Sequence, residues 1–105
     1  MKAERICTRA ATLVGGDRAA THGDKRRNHA AIAAMWNGFL DARRIVGRAD
    51  DLDAHDVANM MELLKVARRY TGGFNADDYI DGAGYAAVAY ECGRPEKDPV
   101  NRRRR

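Results

Sequence analysis

The chain has 105 residues, enough for one domain with a thin core, because alanine is plentiful while Phe occurs twice, Trp once and Met four times. Its formal charge of +4 equals the four arginines, Arg102–Arg105, at its end, so the rest is formally neutral and the basic character belongs to a tail. No apolar run approaches the roughly 18 residues of a helical membrane span, and MKAERIC carries charges where a secretory signal is apolar.

Residues 3–15 are predicted to form the first helix, with Ile6, Ala10, Leu13 and Val14 at helical spacing and Gly15-Gly16 as its stop. Residues 17–28, DRAATHGDKRRN, are short of apolar side chains and read as loop. Asp24 is placed to cap the next helix. The cations Arg18, Lys25, Arg26 and Arg27 lead into that helix N-terminus, where outward-pointing N–H groups favour anions; a solvated charged loop is the plainer account. His22 is either a surface residue of this loop or one that faces a ligand.

The second helix is predicted over 28–46, with Ile32, Met35, Trp36, Phe39 and Val46 on one face and Leu40 beside them. Trp36, the largest side chain, anchors the core or stacks on a base. Gly47 ends this helix, and Asp53 with Asp56 forms a capping-box analogue for the third. Cys7 and Cys92 have no CxxC partner, and with His22, His29 and His55 they make no zinc pattern. They read as free thiols in a reducing cytoplasm.

Asp53–Cys92 then reads as helix, glycine turn, helix, and the short connection makes the two helices antiparallel neighbours. On the third helix the expected buried stripe is Val57, Met60, Leu64 and Ala67, with Arg68 inside the apolar sector, Lys65 at its margin and Glu62 pointing to solvent. On the fourth, which Asn75 caps, the expected apolar arc is Ile80, Ala83, Gly84, Ala87 and Val88, with Glu91 inside it and Asp81 at its edge. Gly82 and Gly84 inside a helix point to close helix approach or room for a ligand. Inward charges must be paired or liganded. The simplest pairing is Arg68 with Glu91 or Asp81. The functional version is a polar pocket in which Lys65 and Arg68 meet phosphate oxygens.

The predicted architecture is all-α: a small bundle of about four helices over 1–94, expected to form a homo-oligomer that shares core between subunits, followed by a disordered basic tail over 95–105. The tail is a solvated end or a contact for nucleic acid through Arg102–Arg105.

The order Arg18, HGD (22–24), Asn28, IAAMW (32–36), DVANMMELLKVAR (56–68) and DDYIDGAGYAA (77–87) resembles a family of small helical proteins encoded by bacteriophages and prophages. The likeness covers about residues 17–92. This chain has His22 where the family usually has tyrosine, and Asp78 where it usually has asparagine. The resemblance implies the cytoplasm of an infected bacterial host. A more distant likeness is to MazG-like all-α nucleoside triphosphate pyrophosphohydrolases, through Asp78-Tyr79-Ile80-Asp81; where those enzymes carry a run of glutamates, Glu62 stands alone.

Three functions follow as expectations. The first is binding of a nucleotide or other phosphorylated small molecule, for nucleotide handling or for sequestering a host defence signal, without a cofactor. Its contacts are Arg18, His22, Asp24, Asn28, Lys65, Arg68, Asp81 and Tyr85. The second is magnesium-dependent pyrophosphohydrolysis, with Asp56, Asp78, Asp81 and Glu91 as metal ligands. The third is a protein- or nucleic-acid-interaction module.

Overall fold

A computed structural model of the protein describes residues 1–15 and 24–95. They form four helices and, among the described residues, no strand: α1 (Ala3–Gly15), α2 (Lys25–Ile45), α3 (Ala54–Thr71) and α4 (Ala76–Gly93). The basic tail, Arg18 and His22 lie outside the described residues.

Each start has a local cause. The Asp24 side chain accepts from the Arg26 N–H and caps α2, which therefore begins three residues earlier than the predicted Asn28. Asp53 and Asp56 form a reciprocal capping box at the start of α3. Asn75 caps α4 through the Asp77 N–H. Gly47, at φ 81°, supplies the left-handed residue that turns the chain after α2.

α3 is the central element and packs on both α2 and α4. The indole N–H of Trp36 donates to the Met60 carbonyl at 2.6 Å, and Arg43 meets Asp56, so α2 and α3 run antiparallel. Trp36 thus anchors α2 on α3. Lys65 pairs with Asp81 and His55 lies against Gly93, so α3 and α4 are antiparallel too.

Being flanked twice, α3 buries far more than one stripe: from Ala58 to Arg69 no residue is exposed. Glu62 is accordingly half-buried, against the expectation that it points to solvent. Val57, expected in the stripe, is 52% exposed. Val46, expected on the buried face of α2, is exposed at its C-cap.

α4 departs most from the amphipathic reading. Its buried residues are Asp78, Gly82 and Ala89, with Tyr85 half-buried on the same line. The predicted arc of Ile80, Ala83, Gly84, Ala87 and Val88 is exposed, and Glu91 with it. At about 100° per residue the two sets lie on opposite sides of the helix. The reason is steric. α3 presents long cations to α4, and small residues make room for them. A Cβ on Gly82 would stand 2.5 Å from Arg69 Nη2 and 3.6 Å from Lys65 Cβ.

The core is as thin as the composition requires. Among the described residues the buried apolar ones are Ile32, Ala58, Ala67 and Ala89. In α1 none is buried. Cys7 and Cys92 are exposed free thiols.

Candidate functional site

The polar residues divide between the two ends of α3. At its N-terminal end every group has a folding task. Arg43 reaches from α2 to place Nε 3.1 Å from Asp56 Oδ1 and Nη2 3.3 Å from Asp50 Oδ1, and it also donates to the Asp50 and Asp51 carbonyls. The Asp56 carboxylate accepts from the Asp53 N–H at 3.0 Å, and Asp53 returns the bond to the Asp56 N–H at 2.9 Å. This hydrogen bond, helped by His55 and Arg48 nearby, holds the Asp53 carboxyl below its ordinary value.

Asp53, His55 and Asp56 bring one ligand atom each within 4.8 Å of one another. The capping box and Arg43 account for both carboxylates, so the cluster is structural. The four acids read as magnesium ligands do not gather. Asp56 belongs to this end, while Asp78 and Asp81 stand at the other. Asp81 and Glu91 are ten residues apart on one helix, about 15 Å.

The C-terminal end of α3 is different. Lys65 Nζ lies 3.1 Å from Asp81 Oδ2; the lysine side chain is 14% exposed and the aspartate 48%. The expected inward ion pair therefore exists, but its cation is Lys65. Arg68 is half-buried, and among the described residues it makes no ion pair or hydrogen bond. Glu91, its other expected partner, lies exposed near the far end of α4.

Arg69, a cation of the kind a helix dipole favours near a C-terminus, lies across Gly82 with its guanidinium 4.4 Å above the Tyr79 ring. Its Nε is buried without a hydrogen-bond partner.

Two further polar residues are buried at this end. Asn28 is 6% exposed and Asp78 4%. Asn28 precedes Trp36 by as many residues as Arg68 follows Met60, and Asp78 precedes Asp81 by as many as Arg68 follows Lys65. In antiparallel helices of equal rise, Asn28, Arg68 and Asp78 therefore stand at one level. The Asp78 carboxylate makes no hydrogen bond or ion pair among the described residues. The N-termini of α2 and α4 open at the same level, where Asp24 and Asn75 cap the Arg26 and Asp77 N–H groups and the positive ends of both helix dipoles face the same region.

Beside them is an aromatic pair that sequence reading did not single out. Phe74, in the Gly72-Gly73-Phe74 turn, is 85% exposed, and its ring lies 5.5 Å from that of Tyr79. A phenylalanine in a glycine turn, outside any amphipathic pattern, was the available signal. Of the predicted ligand contacts, Asn28, Lys65, Arg68 and Asp81 come to this end. Tyr85 is one turn further along α4, and Asp24 is the exposed cap of α2.

The described residues thus define a small all-helical protein with a cation- and amide-bearing end. Residues 5–93 match the family described as a domain of unknown function (DUF6378), and the chain belongs to it. It is 37% identical over 93 residues to the Gene 55 protein of Mycobacterium phage L5, covering 89% of this chain and 55% of that protein. It is 35% identical over 83 residues to the Gene 55 protein of Mycobacterium phage D29, covering 79% and 50%. The chain spans about half the length of these curated relatives. The predicted likeness to phage-encoded helical proteins thus stands. No solved structure matches. No helix among the described residues is long and apolar enough to cross a membrane.

Proposed function

We propose that this domain binds a nucleotide, or a closely related phosphorylated small molecule, at the C-terminal end of α3. The observation that carries the reading is a surplus. Arg68 is a half-buried cation that has no ion pair or hydrogen bond among the described residues, and it stands level with buried Asn28 and Asp78 and with two helix N-termini.

A phosphate suits such a place, because Arg68 offers a planar fork of donors and the N–H groups of a helix start favour anions. Lys65 adds a second positive charge, shared with Asp81. Asp78 accepts hydrogen bonds only, which suits a ribose hydroxyl or a base amino group. Phe74 and Tyr79 provide a face for a base. Arg18 and His22 lie outside the described residues and stand as contacts expected from the sequence alone. In a phage protein, such binding serves nucleotide handling or removes a nucleotide signal of host defence.

The test is thermal unfolding against a panel of nucleoside mono-, di- and triphosphates and cyclic nucleotides, with and without magnesium. A ligand at 100 times its Kd stabilises by about 2.7 kcal/mol, a shift of about 10–20 °C in a domain of this size. Stabilisation without product formation supports the reading. Pyrophosphate release that needs magnesium and is lost in Asp81→Ala would replace it with the pyrophosphohydrolase reading. DNA binding lost on removing Arg102–Arg105, with no nucleotide effect, would replace it with an interaction module.

A further inference from the structure

Two apolar faces remain open among the described residues. One is the stripe of α1, where Ile6, Leu13 and Val14 are 56%, 54% and 54% exposed. The other is the outer face of α4, where Ile80 and Val88 are 64% and 46% exposed around Ala83, Gly84 and Ala87. These faces match. Ile6 to Val14 and Ile80 to Val88 each span eight residues, about 12 Å of helix. Arg5 and Arg9 border the first, whereas Asp77 and Asp81 border the second. The small residues of α4 leave room for the branched side chains of α1: a Cβ added at Gly84 would meet nothing within 4 Å. Among the described residues neither face is covered: no residue of α1 is buried, and Ile80, Ala83, Gly84, Ala87 and Val88 are all exposed.

We propose that the protein pairs with a second copy of itself by exchanging α1, each copy laying this helix along the outer face of the other copy's α4. Such an exchange is two-fold symmetric and closes on itself, so it yields a dimer and not a fibre. It covers the apolar surface that the thin core cannot, and sets basic borders against acidic ones. The buried line of α4 faces away from this surface, and Asp81, which pairs with Lys65, stands at the border between the two.

Sedimentation of the full chain over a range of concentrations tests it. The expected result is a dimer that dissociates on dilution. Leu13→Asp and Ala87→Asp each give a folded monomer with unchanged helical circular dichroism; both positions are exposed in the single chain. Mixing the two variants restores a heterodimer, weaker than the parent, because one of the two exchanged contacts then carries both substitutions and the other carries none. A parent chain that stays monomeric throughout overturns the proposal, as does a Leu13→Asp variant that dimerises like the parent, which would point to α4 pairing with α4.

Discussion

The two ends of α3 carry similar residues and put them to different use. At the N-terminal end Arg43, Asp50, Asp53 and Asp56 satisfy one another, so the ions there are explained by the turn and the cap they hold. At the C-terminal end Lys65 has Asp81, but Arg68 and Asp78 have no ion partner among the described residues, and Arg69 has only an aromatic face. Buried polar groups that folding alone does not use are costly. Under the proposed function a ligand offsets that cost. The two ends then differ in what their ions answer to: the fold at one end, the proposed ligand at the other.

The contrast can be broken most severely at the structural end. Arg43→Ala leaves Asp56, whose side chain is 8% exposed, without its cation. Removing one partner of a buried pair costs about 3–5 kcal/mol. Urea denaturation should register most of that, while nucleotide affinity, where the variant still folds, stays the same. An unchanged midpoint would mean that this end is not the structural one.

At the other end the effects reverse. Phe74→Ala removes an 85% exposed ring, so stability should move by no more than about 0.5 kcal/mol. Base stacking contributes about 1–3 kcal/mol, so nucleotide affinity should fall by roughly 5- to 150-fold, while that of inorganic triphosphate stays put. Equal losses for both ligands would remove the base from this face.

The smallest effect is a pH dependence. The Asp53 carboxyl titrates below its ordinary 3.8, chiefly because it accepts the Asp56 N–H. Its contribution is thus complete above that value and is lost as the pH falls below it. Asp53→Asn keeps a capping acceptor without a charge. It should therefore show a shallower loss of stability than the parent between pH 4 and pH 2, by chemical denaturation. Identical slopes would assign the acid sensitivity to other carboxylates.

Much of the fold was legible because its signals are local. Asp24, Asp53 with Asp56, and Asn75 announce their helices by capping chemistry, and Gly47 announces a stop. The faces were not legible, because hydrophobic periodicity assumes that apolar residues face inward. α4 breaks that assumption: its inward line is Asp78, Gly82, Tyr85 and Ala89, and Gly82 leaves the space that Lys65 and Arg69 need. The same error hid Arg69, whose neighbours on the helix wheel say nothing of a tyrosine on another helix. Asp81 was placed correctly at an edge, yet its partner was read as Arg68, because a wheel gives angles and not the reach of a side chain. The site was legible as a set of residue types, and its assembly at one end depended on the antiparallel register of three helices.

The most direct measurement is calorimetric titration, with the nucleotide that stabilises best, of the parent chain and of Arg68→Ala. Charge-assisted hydrogen bonds contribute about 1.5–3 kcal/mol, so this account predicts at least roughly a tenfold loss of affinity, with the unfolding midpoint of the unliganded variant unchanged or raised. A variant that binds as tightly as the parent, or one that loses binding only because it loses its fold, would contradict it.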